Sequence, residues 1–163
     1  FLYYNSVVTK NKMRIGFTIG KFAPLHKGHE ELIKKGIEEN DEFYILINNT
    51  EVTDVPLETR AKWIKTLYPT AHIILGECPP DKYGMDEQSI KVQTDYLKKV
   101  FKDIPVTHFY SSEEYGKFVA RDLNVVDRRV EKNIPISATK IRQDVEENKK
   151  YLEDIVYKRI VNM

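Results

Sequence analysis

Short apolar runs alternate along the chain with segments in which apolar residues recur every three or four positions. The runs are typical of strands buried on both faces of a sheet, and the periodic segments are typical of helices with one buried face. The pattern predicts strands at 15–19, 43–47, 72–75, 107–110 and 124–127. It predicts a first helix carrying 30–37 and further helices at 57–68, 86–101, 113–122, 137–148 and 152–161.

Strands that alternate with helices in this way predict βαβ units with right-handed crossovers. The expected fold class is therefore α/β, with a mostly parallel five-stranded sheet and helices on both faces. A chain of 163 residues is long enough for one domain with a buried core. We expect that domain to cover 13–163, because Met13 directly precedes the first strand. Residues 1–12 show no clear period and are interpreted as an N-terminal extension, natural or left over from cloning.

Charge and composition narrow the class of partner. The chain has 26 basic and 25 acidic residues, a net charge of +1, which does not favour a general nucleic-acid or membrane-surface binder. No apolar run approaches the length of a membrane span, and no secretory signal is visible. The single cysteine, Cys78, suits a reducing compartment. We therefore expect a cytoplasmic protein without nucleic-acid or membrane partners, and the pattern leaves a homo-oligomer open.

The turn between the first strand and the first helix carries the segment G-K-F-A-P-L-H-K-G-H. Such a turn lies at the carboxyl end of a parallel sheet, and the helix that follows it offers free N–H groups to a phosphate. Gly20 and Gly28 let the backbone approach a ligand closely. His26 and His29 are three apart, so they share one face of the first helical turn and converge there with Lys21. The simpler alternative is two solvated histidines on a tight turn.

A second segment with donor side chains is I-S-A-T-K-I-R at 136–142. Ser137 follows a proline and precedes a helical pattern, so it is a natural N-cap. Thr139, Lys140 and Arg142 add a hydroxyl and two cations beside this second helix N-terminus. An ordinary capped surface helix is the alternative, and capping explains Ser137 but not the donors beside it.

The first segment resembles the G-x-F-x-P-x-H-x-G-H signature of the HxGH nucleotidyltransferases, and the second resembles their I-S-x-T-x-x-R motif. Together with R-A-K-W-I at 60–64 and Y-S-S-E at 110–113, these motifs make the chain similar to the adenylyltransferase domain of the bifunctional nicotinamide-mononucleotide (NMN) adenylyltransferase/ribosylnicotinamide kinase family. The resemblance covers about 13–157 and implies a Rossmann-like nucleotidyltransferase fold. The kinase activity of that family is not expected from this chain, because its nearest phosphate-loop-like segment, at 16–22, lacks a residue and the hydroxyl for magnesium.

The resemblance implies transfer of AMP from ATP to the 5′-phosphate of NMN, giving NAD and pyrophosphate, with Mg²⁺ bound by the phosphates and no protein metal ligands. It assigns catalytic contacts to Lys21, His26, His29 and Arg142. It assigns ATP contacts to Gly20, Phe22, Gly28, Ser111, Ser112, Ser137 and Thr139. It assigns NMN contacts to Asn48, Arg60 and Trp63. For Trp63 a plain core position remains open, and for the two neighbouring serines a role in capping the next helix remains open.

Two other functions stay open. One is a sister nucleotidyltransferase acting on pantetheine phosphate, FMN or glycerol phosphate, and the other is a non-catalytic nucleotide sensor. For any of the enzymes the acceptor is a phosphate monoester, which has its second pKa near ~6 and is already an ionised nucleophile. No general base is therefore expected, and the histidines, cations and helix N-termini would stabilise transition-state charge.

Overall fold

The computed structural model describes residues 13–163, and the interpretation of residues 1–12 as an extension lies outside that range. Its strands are β1 (Ile15–Gly20), β2 (Glu42–Asn48), β3 (His72–Gly76), β4 (His108–Ser111) and β5 (Val126–Arg129). Its α-helices are α1 (Lys27–Glu39), α2 (Leu57–Leu67), α3 (Glu87–Val100), α4 (Gly116–Leu123), α5 (Ala138–Gln143) and α6 (Asp154–Val161). In this part of the chain, none of the helices has the length and apolar character that a bilayer crossing requires.

The strands form one sheet in the order β3-β2-β1-β4-β5, and every neighbouring pair is parallel. The predicted α/β class with a five-stranded parallel sheet is therefore confirmed. From β1 the chain builds outward through β2 and β3, and β4 then pairs with the free side of β1. The sheet order reverses at β1, and such a reversal opens a crevice at the carboxyl ends of the two strands.

Two apolar layers cover the two faces of the sheet. Along β2 the side chains alternate, so that Ile45 and Ile47 join the layer containing Ile33 of α1, while Leu46 joins the layer containing Leu97 of α3. All five side chains are almost completely shielded from solvent. The prediction of helices on both faces is confirmed, and the loops at the carboxyl edge rest on a rigid scaffold.

The prediction of one helix over 137–148 is wrong. Helix α5 ends at Gln143, and a separate 3₁₀ turn follows at Lys149–Tyr151. Asp144 Oδ1 accepts the Glu147 N–H, and the Asn148 side chain donates to the carbonyl oxygen of Asp144. Asp and Asn side chains compete in this way for backbone groups that a helix would use itself.

The fifth strand also begins later than predicted, at Val126 instead of Asn124. Asn124 is the C-cap of α4 and has left-handed backbone angles, φ 57° and ψ 51°. Asparagine tolerates this conformation better than most residues, and it ends the helix before the strand can start.

Candidate active site

A cleft of about 620 Å³ opens at the carboxyl ends of β1 and β4, where the sheet order reverses. Its walls come from the loops after β1, β4 and β5. The volume falls within the range of roughly 300–1,000 Å³ that is usual for ligand pockets. The cleft contains many of the predicted site residues: Gly20, Phe22, His26, Gly28, His29, Ser111, Ser112 and Ser137.

The loop after β1 has an unusual backbone conformation at Phe22. This residue has a positive φ of 49°, is 4% exposed, and places its ring 4.9 Å from the ring of His29. A Cβ at Gly20 would lie 3.1 Å from the Phe22 ring, so glycine leaves the room that this ring needs. Non-glycine residues with positive φ concentrate at functional sites, because such backbone strain persists only where the surroundings impose it.

His26 and His29 cap helix α1 reciprocally. His26 is the N-cap, and its Nδ1 accepts the N–H groups of Gly28 at 3.0 Å and of His29 at 3.3 Å. The Nδ1 atom of His29 accepts the His26 N–H at 3.2 Å, which completes a capping box. The two rings stack with centroids 3.6 Å apart. The expectation that these helix N–H groups would be free for a phosphate is therefore wrong for Gly28 and His29, because His26 already occupies them.

This capping fixes the protonation state of both imidazoles. A backbone N–H can only donate, so both Nδ1 atoms are unprotonated acceptors and the proton of each neutral ring is on Nε2. Burial, assisted by the positive charge of Lys132, lowers the pKa of His26 to about 4. Burial also holds the pKa of His29 well below its usual value, with His26 and Lys132 adding to the effect. At neutral pH the cleft therefore contains two uncharged Nε2–H donors with fixed rings.

Ser137 caps α5, and its Oγ accepts the Lys140 N–H at 3.2 Å while the residue lines the cleft. Arg142 is directed elsewhere in this structure. Its guanidinium donates to the Ala23 carbonyl oxygen at 2.6 Å and to Thr139 Oγ1 at 3.3 Å. Arg142 thus ties α5 to the loop after β1, and the predicted contacts of Arg142 and Thr139 with ATP stay predictions.

Ser111 and Ser112 line the cleft from the loop after β4. The alternative in which they cap the next helix is wrong, because α4 begins at Gly116 and its N-cap is Tyr115. Lys21 lies outside the lining of the cleft, with its Nζ 4.8 Å from the centroid of the Tyr83 ring. The predicted catalytic role of Lys21 stays a prediction.

Arg60 is completely buried on α2. Its guanidinium donates to three carbonyl oxygens, those of Lys21 at 2.5 Å, Asn48 at 3.2 Å and Val55 at 3.2 Å. The side chain therefore joins the end of β2 to the loop after β1. Buried arginines bonded to several carbonyls rigidify the loops that they join. This geometry favours a positioning role for Arg60.

Trp63 is 4% exposed and belongs to the apolar layer on the α1 and α2 side of the sheet. It lines a smaller cavity of about 140 Å³, together with Pro24 and Ile141, and not the large cleft. Asn48 also lies outside the lining of the large cleft, and its Oδ1 accepts the Tyr96 hydroxyl at 2.9 Å. Burial favours the core interpretation of Trp63, and the contacts of Asn48 and Trp63 with NMN stay predictions.

Sequence reasoning missed the loop between β5 and α5. Glu131, Lys132 and Asn133 of this loop line the cleft, as does Glu31 of α1. The Asn133 side chain donates to Glu31 Oε1 at 2.7 Å. Only the position of this loop in the chain could have indicated that it lines the site. The loop leaves the carboxyl edge of the sheet and leads directly into the I-S-A-T-K-I-R segment.

Together the reversal of sheet order at β1, the capped histidines and the cleft define an α/β protein with a candidate ligand site at its switch point. A model of the cytidylyltransferase-like family matches residues 17–144, which is more than half of the chain and includes both motifs. This chain belongs to the cytidylyltransferase-like family.

Three solved structures are similar to the chain in fold. A NadR protein in complex with NAD and AMP-PNP has a TM-score of 0.61 and 21% identity, over 85% of this chain and 44% of that one. A bifunctional NMN adenylyltransferase/ADP ribose pyrophosphatase from Francisella tularensis has a TM-score of 0.67 and 22% identity, over 86% and 45%. Its complex with AMP and a Mn ion has a TM-score of 0.64 and 20% identity, over 86% and 44%. The chain has the Rossmann-like nucleotidyltransferase fold, and it spans less than half of the length of these proteins.

Proposed function

We propose that this chain is an adenylyltransferase that moves AMP from ATP to the 5′-phosphate of NMN and releases pyrophosphate. The observation that carries the proposal is the stacked pair of neutral imidazoles, His26 and His29, in a cleft at the switch point of the sheet. The family and the fold support a nucleotidyltransferase. Two of the similar structures contain nucleotides, NAD with AMP-PNP in one and AMP in the other, which supports this choice of nucleotides.

The reaction joins an oxygen of the NMN phosphate to the α-phosphorus of ATP and breaks the bond from that phosphorus to pyrophosphate. The attacking phosphate is ionised at neutral pH, so the protein supplies no base. Its task is to hold two polyanions in line and to stabilise the charge that develops on the α-phosphate and on pyrophosphate. The Nε2–H groups of His26 and His29 donate to these oxygens. Because capping fixes both rings before substrate binds, no reorganisation is needed during the reaction.

Mg²⁺ enters this scheme as part of the Mg·ATP substrate. Within residues 13–163 no group of three or more His, Cys, Asp or Glu side chains is placed to hold a metal ion. The Nδ1 atoms of His26 and His29 are occupied by backbone N–H groups, so they are not metal ligands. Phosphate oxygens are the ligands that Mg²⁺ prefers when a protein offers no complete cage.

The remaining assignments belong to the same proposal. Lys21 contacts the phosphates after leaving the ring of Tyr83, and Arg142 does so after its hydrogen bond to the Ala23 carbonyl oxygen opens on substrate binding. Asn48 and Trp63 lie on the acceptor side. Arg60 acts by fixing the carbonyl groups of the loop after β1 and of the end of β2.

The experiment is a panel of nucleotides and acceptors with Mg²⁺, followed by release of pyrophosphate and by chromatography of the product. The acceptors are NMN, nicotinate mononucleotide, pantetheine phosphate, FMN and glycerol 3-phosphate, each with ATP and with CTP. We expect NAD from ATP and NMN as the preferred product. Preferred turnover of CTP or of a ringless acceptor would assign the chain to a sister enzyme. Binding of ATP without turnover of any acceptor would indicate a sensor.

A further inference from the structure

The residues that line the cleft carry more negative than positive charge, although the proposed ligand is a triphosphate. Three carboxylates line it, those of Glu31, Glu113 and Glu131. Within the described part of the chain, the lining includes a single basic residue other than histidine, Lys132. The two histidines there are neutral at physiological pH because burial depresses their pKa values. For a polyanion that enters this cleft, Lys132 is therefore the permanently charged cation in the lining.

The backbone around Lys132 is anchored on both sides. Val130 and Ile136 are buried at the two ends of the loop, with 6% and 2% exposure. Between them, the side chain of Asn133 donates to Glu31 Oε1 on α1 at 2.7 Å. The loop is thus pinned to the same helix that carries the histidines. The exposed Lys132 lies between the buried Val130 and this bond, so its backbone is anchored where it lines the cleft.

The positive charge of Lys132 acts on both imidazoles. It contributes to the lowered pKa of His26 and to that of His29. A positive charge near an imidazole disfavours its protonated form, and Lys132 lines the same cleft as both rings. Among the ion pairs formed within residues 13–163, none engages Lys132. A charged lysine that lines the same cleft as the histidines and forms no ion pair there is suited to binding an anionic ligand.

We propose that Lys132 binds the phosphate chain of the nucleoside triphosphate beside His26 and His29, and that the bond between Asn133 and Glu31 positions its loop for that contact. The proposal rests on the proposed function in that the triphosphate is a substrate. It gives Lys132 a second effect, since its charge disfavours an imidazolium and so keeps both Nε2–H donors in their neutral rings.

The first test measures dissociation constants by calorimetry for Mg·ATP, tripolyphosphate and adenosine. Lys132→Gln is expected to weaken Mg·ATP and tripolyphosphate by about tenfold, the scale of one charge-assisted hydrogen bond at an exposed site, and to leave adenosine unchanged. Lys132→Arg is expected to keep most of the affinity. The matched control is Lys102→Gln, which removes the same charge at an exposed site outside the cleft and is expected to bind as the wild type does.

The second test follows the histidine ring signals by NMR during a pH titration. In Lys132→Gln we expect the midpoints of His26 and His29 to move upward, while that of His108 stays in place because Lys132 does not contribute to its pKa. A purely structural role for Lys132 would not move two midpoints selectively. Asn133→Ala, which removes the bond to Glu31, is expected to reproduce part of the loss of ATP affinity.

Unchanged ATP affinity in Lys132→Gln would overturn the inference, as would an equal loss of affinity for adenosine. Failure of the proposed function is a separate result. If the wild type forms no NAD but its binding of tripolyphosphate depends on Lys132, the acceptor assignment fails and the inference stands. If NAD forms and Lys132→Gln keeps the wild-type affinity and KM for ATP, the inference alone fails.

Discussion

At the scale of single residues, the site depends on which nitrogen of each imidazole carries the proton. The spacing of His26 and His29 predicts that they share one face, and the structure brings them together as stacked rings. The reciprocal cap was not predictable from spacing, because histidine is an uncommon N-cap and the cap exists only for one orientation of each ring. The cap couples the stability of α1 to the proposed chemistry. The Nδ1 atoms that accept the backbone N–H groups also fix the proton of each ring on Nε2, which is the donor.

Replacing each histidine by asparagine separates these two tasks. An asparagine Oδ1 can accept the backbone N–H groups that each Nδ1 accepts, those of Gly28 and His29 for His26 and that of His26 for His29, but its amide is too short to replace Nε2–H. We expect His29→Asn to keep a wild-type melting temperature and to lower kcat by roughly 10²–10³-fold, the scale of losing one preorganised donor. KM for ATP should change much less. Steady-state kinetics and thermal melts check this, and near-normal kcat in both His26→Asn and His29→Asn would contradict the role.

The low pKa of His26 also predicts how stability depends on pH. The unfolded chain binds a proton near the usual value of 6.5, whereas the folded chain binds it only near 4, because burial opposes the charge. Between these values the unfolded state holds more protons, so stability is complete above about pH 6.5 and declines as pH falls toward 4. The decline is at most about 1.4 kcal/mol per pH unit for this one group.

Chemical denaturation between pH 7.5 and 4 measures this dependence. The slope should be smaller in His26→Asn, which has no titrating ring at the cap. Equal slopes for the two proteins across this range would show that His26 is not the group that titrates.

At the scale of elements, a buried carboxyl group joins the helix that carries the histidines to Tyr68, the C-cap of α2, and lies beside Glu153, the N-cap of α6. Glu30 is 3% exposed, and its Oε1 accepts the Tyr68 hydroxyl at 2.5 Å. Its Oε2 is buried without a hydrogen-bond partner among the described residues. Burial raises the pKa of Glu30, the adjacent Glu153 carboxylate raises it further, and Tyr68 and Lys34 oppose the shift.

Glu30→Gln should therefore stabilise the protein at neutral pH. The raised pKa means that ionisation of Glu30 removes stability as pH rises above the unfolded value of 4.5. Glutamine mimics the neutral carboxyl group and can donate to Glu153. We expect its melting temperature at pH 7.5 to exceed that of the wild type by a few degrees, and the difference to vanish below pH 4.5.

The control is Glu38→Gln, an exposed position on the same helix, which should melt as the wild type does at both pH values. A Glu30→Gln protein that melts lower than the wild type at pH 7.5 would mean that the ionised carboxylate stabilises the contact.

At the scale of the whole molecule, the sequence predicts the sheet better than the site. Continuous apolar runs such as 43–47 identify buried strands directly, because a parallel sheet leaves them no polar face. Site geometry depends on long-range contacts that have no local pattern. Lys132, the cation in the cleft lining, comes from a loop with no motif, and Arg60 is bonded to carbonyl groups that any residue type could supply. Side-chain rotamers and loop closure decide such contacts, and neither leaves a period in the sequence.

Trp63 is the residue for which the whole molecule decides between two sequence interpretations. It packs where α2, the loop after β1 and α5 meet, and it is 4% exposed. Truncating a buried tryptophan typically costs about 3–5 kcal/mol, so Trp63→Ala should melt at a much lower temperature. Trp63→Phe keeps an aromatic face and most of the volume, and it should recover most of that stability. Because this side chain lies outside the large cleft, we expect KM for ATP to stay at the wild-type value in Trp63→Phe.

The acceptor distinguishes the two interpretations of Trp63. If Trp63 belongs to the core, Trp63→Phe has the wild-type KM for NMN, and any defect of Trp63→Ala disappears when both proteins are assayed well below their melting temperatures. If its indole stacks on the cationic nicotinamide ring, replacement by the weaker phenyl face raises KM for NMN in a stably folded protein, by up to about thirtyfold for a contact of roughly 2 kcal/mol. The burial of Trp63 favours the first outcome. A selective rise in KM for NMN in Trp63→Phe, with KM for ATP unchanged, would show that substrate binding opens the core at this position.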